Sequence, residues 1–383
     1  MAERNDLAYM AEIRRRLHRH PETGFDLPET VALVKKELDS MGIPYREDLC
    51  PCSVVGLIDP GKSGKTIALR ADMDALPIFE KNQTEYASQN EGKMHACGHD
   101  AHTAMLLGAV RKLMRRKDEI PCRVKLIFQP SEEGMATGAR VLVDHGVMDD
   151  VDFILGEHVD NRMDVGNASV GAGVMYASNN VFELTMIGRS AHASQPENGV
   201  DAIYMAVEWY RKMREMLKTE IPPTEKKVLN VGMIRGGTAV NSIPKEATLT
   251  CTLRTYRNEI ADLVMRRVGE IAEETAKAFG GEYELKSVKN LPCVCNDGSL
   301  SEKIASLGRE IFKNVEEEKG RMGSEDFACY QTKKPGVIYT IGSGNAAKGI
   351  TSPLHSDQFD LDENVLEYGA TLLSEAVFRL GKE

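Results

Sequence analysis

The sequence contains no apolar run long enough to cross a membrane, and its first residues, Met-Ala-Glu-Arg-Asn-Asp, lack the apolar stretch of a secretory signal. A membrane helix needs about 20 consecutive, mostly apolar residues, and a signal peptide needs a shorter apolar core behind a basic start. We therefore expect a soluble cytoplasmic protein that does not interact with membranes. Its eight cysteines are then expected to be reduced rather than paired in disulfides.

An excess of positive charge is also absent, because 48 Lys and Arg stand against 58 Asp and Glu, for a net charge of -10. Proteins that bind nucleic acids usually carry a basic surface, so we expect no nucleic-acid partner. Internal repeats and low-complexity tracts are absent as well. With 42% hydrophobic and 28% charged residues, the composition is that of an ordinary globular protein with substantial cores.

The chain is long enough for two domains, since 383 residues exceed what one hydrophobic core usually supports. Helical and strand patterns alternate in residues 1–179, which is typical of an α/β layer fold. Residues 180–292 change to the order βαββαβ, the pattern of a ferredoxin-like unit. Residues 293–383 return to strands and helices. The sequence therefore predicts an α/β domain built from the first and third ranges, with a small domain inserted between them.

Two glycine-rich stretches imitate nucleotide-binding motifs. Residues 56–63 fit the P-loop formula, but that motif requires a helix after Gly-Lys-Ser, and residues 66–70 have the pattern of a strand. We therefore expect a hairpin of two strands there. Residues 342–347 imitate a dinucleotide fingerprint, yet Pro353 follows soon and no βαβ unit does. A nucleotide hydrolase would be an alternative only if nucleotide binding survived removal of transition metals.

The densest chemistry lies at residues 95–102, which read His-Ala-Cys-Gly-His-Asp-Ala-His. Three imidazoles, a thiol and a carboxylate are the soft and borderline ligands that divalent transition metals prefer. An apolar run over residues 104–110 follows at once, so the cluster lies where a loop enters a helix. This stretch alone predicts a metal site with up to five ligands.

Further candidate ligands stand at or near the ends of predicted strands. The strand over residues 124–129 runs into Glu132 and Glu133, and another strand ends at His158, while His355 lies in a polar loop. Adjacent carboxylates can divide their roles, one binding a metal and the other acting as a base. One such histidine is more often structural than a ligand, but strand ends are where α/β folds place their sites.

Two more carboxylates, Asp72 and Asp74, end a predicted strand and project to the same side. One of them could accept a hydrogen bond from a ligand imidazole and fix its orientation. The alternative is an ordinary Asp-rich turn.

Taken together, the motifs resemble those of the M20 metallopeptidase family, in the branch of aminoacylases, hippurate hydrolases and auxin-conjugate amidohydrolases. The matching motifs lie at residues 15–22, 71–77, 94–100, 129–134, 188–194, 237–241, 323–327 and 354–356. The resemblance implies an α/β catalytic domain of the metal-dependent exopeptidase kind, with an inserted ferredoxin-like lid that also forms a homodimer.

The resemblance also implies a site with two divalent transition-metal ions, which would be zinc, manganese, cobalt or nickel. The implied ligands are Cys97, His99, Glu133, His158 and His355. Glu132 resembles the general base, and Asp74 resembles the carboxylate that orients a ligand. Asp72 stands where other branches carry a metal-binding histidine, so it is left outside the ligand set.

Three lid residues complete the implied site. His192 resembles an oxyanion or substrate contact, while Asn241 and Arg254 resemble the residues that bind the substrate carboxylate. The expected activity is hydrolysis of the amide bond of small N-acyl amino acids. The alternatives are an N-acetyl-diaminopimelate deacetylase, a small-peptide hydrolase of the same fold, or a catalytically silent binding protein. The presence of Glu132 favours an enzyme over the silent protein.

Overall fold

The computed structural model describes residues 2–382, and the side chains of residues 6–382. The chain divides into two compact units. The first unit comprises Met1–Met175, Cys295–Lys319 and Asp326–Glu383, and the second comprises Tyr176–Val294 and Gly320–Glu325. The segment Gly320–Glu325, which the sequence placed in the catalytic domain, thus groups with the second unit. The domain boundaries at 179 and 292 stay predictions, and their outermost residues, 1 and 383, lie outside the described residues.

The described residues form α-helices in both units. In chain order they are α1 (Ala2–Arg19), α2 (Pro28–Ser40), α3 (His99–Arg115), α4 (Gly138–Asp144), α5 (Ala202–Thr219), α6 (Asn258–Phe279), α7 (Gly298–Ile311), α8 (Ala328–Gln331) and α9 (Val365–Leu380). Pro28 stands in the first turn of α2, where its missing N–H has no intrahelical partner to lose.

The strands are, in chain order, β1 (Tyr45–Arg46), β2 (Val54–Ile58), β3 (Thr66–Asp72), β4 (Arg123–Gln129), β5 (Phe153–Asp164), β6 (Asn167–Val170), β7 (Gly173–Tyr176), β8 (Asn179–Ile187), β9 (Lys227–Gly236), β10 (Glu246–Thr255), β11 (Glu282–Leu291), β12 (Val294–Asn296), β13 (Asn314–Glu317) and β14 (Gly336–Gly344). Strand β5 continues six residues beyond His158, where the sequence analysis expected it to end.

The first unit is built on an eight-stranded mixed sheet in the order β1-β2-β4-β3-β5-β14-β6-β13. Its central strands β4, β3, β5 and β14 run parallel. Every residue of β3 and β14 is buried, as expected for parallel strands covered on both faces. Helices α1, α2, α3 and α9 supply much of the apolar core against this sheet. The predicted α/β fold is confirmed.

The expected hairpin over residues 53–71 is wrong, although both of its strands exist. Strand β4 lies between β2 and β3, antiparallel to β2 and parallel to β3. The connection over residues 59–65 is long enough to cross one strand, whereas a tight hairpin usually needs only two loop residues. Lys62 of the P-loop-like stretch donates to the carbonyls of Asp118 and Ile120, so its ammonium group is used within the fold.

The second unit is a four-stranded antiparallel sheet in the order β11-β8-β10-β9. Helices α5 and α6 pack against it, giving the chain order βαββαβ that the sequence predicted. Alternate residues of β10 are buried, because one face of the sheet meets the helices. Trp209 of α5 is fully buried in this core, and its indole N–H donates to the carbonyl of Val268 on α6, with an N–O distance of 3.1 Å.

All eight cysteines are free thiols in this structure. Across residues 2–382, no helix combines the length and the apolar character that crossing a membrane requires.

Candidate metal centre

The candidate centre is assembled from segments of the first unit that are far apart in the chain. Cys97 and His99 lie at the start of α3, Glu133 follows β4, His158 lies within β5, and His355 lies in the loop before α9. Strands β3, β4 and β5 run parallel, so the segments that leave their carboxyl ends share one edge of the sheet. Folding therefore brings together the five residues proposed as ligands from the sequence.

Two groups of potential ligand atoms overlap at one thiol. Cys97, His99 and His158 offer atoms that lie within 4.8 Å of one another, and so do Cys97, Glu133 and His355. Within them, Cys97 Sγ is 3.5 Å from His158 Nε2, and His355 Nε2 is 3.2 Å from Glu133 Oε1. A thiolate shared by both groups suits a pair of adjacent divalent cations.

Hydrogen bonds fix the orientation of two of these imidazoles. His99 Nδ1 is 2.7 Å from the carbonyl oxygen of Asp74, and His158 Nδ1 is 2.7 Å from the carbonyl oxygen of Val159. A carbonyl only accepts, so each Nδ1 carries a proton, and Nε2 is the nitrogen that each ring can offer to a cation. His99 Nε2 is buried and has no hydrogen-bond partner. The donor set and this orphaned nitrogen fit transition-metal ions.

Burial and neighbouring charges shift the pKa values of these groups. Burial and the nearby His102 lower the pKa of His158 to about 3, so this imidazole is neutral and able to bind a cation. Burial also lowers the pKa of His99, but Asp72 and Cys97 outweigh it and raise that pKa above its usual range. Burial and Glu133 raise the pKa of the Cys97 thiol, so metal binding would have to release its proton.

Asp74 holds the segment that follows β4. Its Oδ1 accepts from the amide of Glu132 at 2.9 Å, and its Oδ2 accepts from the amide of Glu133 at 3.1 Å. Its own carbonyl accepts from His99. One residue therefore links the proposed base, a carboxylate ligand and an imidazole ligand.

The backbone is strained at two points of this centre. Ser131 has φ 53° and His355 has φ 64°, a left-handed conformation that residues other than glycine seldom adopt. Ser131 Oγ donates to the carbonyl of Ala136, and His355 N donates to the carbonyl of Ala96. Such conformations persist only where the surrounding contacts hold them, and they cluster at functional sites.

Glu132 is nearly buried, with 9% of its surface exposed. A carboxylate oxygen of Glu132 lies within 4.8 Å of ligand atoms of His99 and Glu133. This position is suited to a base that acts on a water molecule beside a cation held by these ligand groups.

A buried network supports the centre, and local sequence pattern did not identify most of it. Arg70 donates to Asp72 at 2.6 Å, to Gln129 at 2.8 Å and to Asp326 at 2.9 Å. Asp72 also bonds His102 Nδ1 at 2.6 Å. Arg70 and Asp72 are two residues apart on β3, which places both side chains on one face. That spacing was the only feature of the sequence that indicated this network, because Asp326 is distant in the chain.

Two other residues of the 95–102 cluster, Asp100 and His102, form hydrogen bonds with the surrounding framework. His102 Nε2 accepts from the amide of Val159 at 3.0 Å, and Asp100 binds Arg14 at 2.8 Å and His18 at 2.7 Å. His95 is buried, and burial lowers its pKa to about 3.

The three proposed substrate contacts lie in the second unit. The chain brings His192 and Asn241 together, because the amide of Ala193 donates to the carbonyl of Asn241 at 3.0 Å. The amide of Ser194 donates to His192 Nδ1, so Nε2 carries the ring proton and is available as a donor.

Arg254 on β10 is half-buried and donates to the carbonyl of Met322 at 3.0 Å. Burial lowers the pKa of Arg254.

The sequence matches the pattern of the family described as "Peptidase family M20/M25/M40" over residues 68–379. It is 35% identical over 379 residues to IAA-amino acid hydrolase ILR1-like 4 of Arabidopsis thaliana, covering 97% of this chain and 86% of that protein. It is 34% identical over 380 residues to N-acetylcysteine deacetylase of Bacillus subtilis, covering 98% and 97% of the two chains.

A solved structure from Bacillus subtilis, described as a dinuclear metal binding peptidase from the M20 family, superimposes with a TM-score of 0.85. The two chains are 31% identical, and the match covers 99% of each. The matches thus cover 86–99% of the relatives and are not confined to the candidate centre.

Proposed function

Because the chain belongs to peptidase family M20/M25/M40, we propose that it is a metal-dependent amidohydrolase that cleaves the amide bond of N-acyl amino acids. Membership confirms the resemblance stated from the motifs, and the names of the relatives describe hydrolysis of an amino-acid conjugate and removal of an acetyl group. The single observation that carries the proposal is the nearly buried Glu132 carboxylate beside the overlapping ligand groups at Cys97.

We assign two metal ions to this centre. Cys97, His99 and His158 would hold one ion, and Cys97, Glu133 and His355 would hold the other. Zinc, manganese, cobalt and nickel suit a set of thiolate, imidazole and carboxylate donors. When bound, such ions polarise an amide carbonyl and lower the pKa of water towards neutrality.

Glu132 acts as the general base. Its carboxylate accepts a proton from the attacking water while the water oxygen forms a bond to the amide carbon. The C–N bond then breaks, and Glu132 returns that proton to the leaving amine. The amides of residues 132 and 133 donate two hydrogen bonds to Asp74, and these bonds keep the Glu132 carboxylate in place during both proton transfers.

The second unit would bind the substrate. The Nε2–H group of His192 is a suitable donor to the oxyanion of the tetrahedral intermediate. Asn241 and Arg254 would hold the carboxylate of the amino-acid half, and Arg254 would do so through charge-assisted hydrogen bonds.

We also propose a homodimer formed through the second unit. Strand β9 lies at an edge of its sheet, where unpaired backbone groups favour association. Exposed apolar side chains lie on β9 and on the neighbouring helix α5. They are Ile203, Tyr204, Val207, Val228, Met233 and Ile234. Sedimentation equilibrium of the 42.3 kDa chain should therefore give the mass of a dimer.

A small-peptide hydrolase is the second candidate, because the similar Bacillus subtilis structure is described as a peptidase. A third candidate is a deacetylase that acts on N-acetyl-diaminopimelate. All three activities would use the same residues of the first unit, so a substrate panel must distinguish them.

The test is hydrolysis of N-acetyl, N-benzoyl and indole-acetyl amino acids, of dipeptides and of N-acetyl-diaminopimelate, with each metal and with a chelator. We expect turnover of N-acyl amino acids that disappears with the chelator and falls roughly 10³-fold in Glu132→Gln. Glu91→Gln, an exposed carboxylate, is the matched control. Turnover that resists chelation, or full activity in Glu132→Gln, would contradict the mechanism. Turnover of dipeptides alone would show that the substrates are small peptides and not N-acyl amino acids.

A further inference from the structure

Large apolar side chains are rarely exposed in the first unit. Among its described residues, Phe79 is 66% exposed and Met135 is 53% exposed, and the other exposed large apolar side chains belong to the second unit. Isolated exposed apolar residues are normal on protein surfaces and need no explanation. These two are different because both lie on segments tied to the candidate metal centre.

Met135 lies in the loop that carries both site carboxylates. It follows Glu133 by two residues, and the loop is closed by a hydrogen bond from the amide of Gly138 to the carbonyl of Ser131 at 3.1 Å. A second bond, from Ser131 Oγ to the carbonyl of Ala136 at 2.7 Å, tightens the same loop. Met135 is therefore held within one short, closed loop with the proposed base and a proposed ligand.

Phe79 lies on a segment that is anchored at both ends beside other ligands. Leu76 exchanges two backbone hydrogen bonds with Met94, each of 3.0 Å, three residues before Cys97. The amide of Lys81 donates to the carbonyl of Asp357 at 2.8 Å, two residues after His355. Phe79 stands between these anchors, so its backbone runs alongside the two segments that carry Cys97 and His355.

The ring of Phe79 rests on backbone rather than in the core. A Cβ atom added to Gly92 would lie 3.4 Å from its Cζ atom and 3.7 Å from each Cε atom, so the far end of the ring lies beside that glycine. Gly92 has φ 76°, a conformation that disfavours any larger residue. The ring thus has backbone beside its far end, while 66% of the residue's surface stays exposed.

We propose that Phe79 and Met135 contact the acyl group of the substrate and make the enzyme prefer bulky apolar acyl groups, such as benzoyl, to acetyl. This inference rests on the proposed function. A phenylalanine ring packs favourably against an aromatic acyl group, and the flexible thioether of methionine adapts to groups of different shape. An acetyl group is too small to gain as much from either contact.

The test compares kcat/KM for the N-benzoyl and N-acetyl derivatives of one amino acid in Phe79→Ala, Met135→Ala and the double variant. The benzoyl-to-acetyl ratio should fall roughly tenfold in each single variant and further in the double variant. Phe79→Leu, which keeps much of the apolar area, should retain most of the ratio. Leu285→Ala removes an exposed apolar side chain from the second unit and should leave the ratio unchanged.

The outcomes separate this inference from the proposed function. Equal losses on both substrates, or an unchanged ratio in the double variant, would overturn the acyl contact while amide hydrolysis stands. A wild-type protein that hydrolyses neither derivative would overturn the proposed function and this inference with it. Metal content measured on every variant ensures that a changed ratio is not due to a lost ion.

Discussion

The two sets of proposed site residues differ in how firmly the fold holds them. In the first unit, Cys97, His99 and His158 are buried, and both of these imidazoles are oriented by backbone carbonyls. In the second unit, His192 and Asn241 are exposed. The proposed metal ligands are thus positioned by the fold itself, whereas these two proposed substrate contacts face solvent. Substitutions in the first set should alter metal content and kcat, and those in the second should alter KM.

The largest effect is expected for Cys97→Ser. Because Cys97 belongs to both ligand groups, its loss should release metal and lower kcat/KM roughly 10³-fold, which corresponds to several kcal/mol of transition-state stabilisation. Metal per chain is measured by elemental analysis alongside kinetics. The control is Cys295→Ser, which changes an exposed thiol. Unchanged metal content in Cys97→Ser would remove the thiol from the centre.

A smaller effect is expected for Asp74→Asn. The asparagine amide keeps one acceptor oxygen but turns an NH₂ group towards a backbone N–H, so one of the two bonds to residues 132 and 133 is lost. We expect kcat to fall about 10–100-fold with metal still bound at saturating concentration. Asp118→Asn, an exposed position, serves as the control. A change in KM alone would show that Asp74 does not position the base.

In the second unit, Arg254→Lys should raise KM roughly tenfold with little change in kcat, because lysine lacks the planar fork that binds a carboxylate through two hydrogen bonds. Initial rates over a wide range of substrate concentration measure both constants. Arg266→Lys on the exposed side of α6 controls for the loss of a guanidinium. If kcat falls instead, the contrast between the two sets of residues fails.

The smallest effect on turnover is expected at Glu157, although its effect on stability depends on pH. This buried carboxyl accepts from Tyr339 at 3.0 Å, and burial raises its pKa to about 8. Between pH ~4.3 and 8 the folded state keeps a proton that the unfolded chain loses, so the free energy of unfolding falls as pH rises. Above pH 8 this loss is complete.

Glu157→Gln removes that titration and keeps an acceptor for Tyr339. Relative to wild type, the variant should gain stability from pH 5 to pH 8, on the order of a few kcal/mol. Urea unfolding at three pH values, with and without metal, measures the difference. Parallel stability curves for the two proteins would mean that Glu157 is ionised in the folded state.

Local sequence patterns predicted most of the fold. The helices and strands of the second unit follow directly from apolar periodicity, since each element buries one face against the same core. The order of the strands within the sheet was harder to predict from the sequence than the strands themselves. Strand β4 separates β2 from β3, and such pairing between distant segments leaves no mark in the sequence of either strand.

The candidate centre shows a similar division. Cysteine, histidine and glutamate could be identified as donors because few other residue types bind transition metals. The resemblance named Asp74 as the carboxylate that orients a ligand, but its backbone carbonyl accepts from His99 while its carboxylate accepts from two backbone amides. The bond from Arg70 to Asp326 could not be identified, because the two residues are 256 positions apart. The roles of individual site residues stay predictions until the variants above are measured.

The chain has one tryptophan, and Trp209 lies wholly inside the core of the second unit. Selective excitation of its fluorescence therefore reports on the folding of that unit, while circular dichroism reports on both. Denaturation followed by the two signals together would show whether the units melt as one cooperative body or separately, without any label or engineered probe.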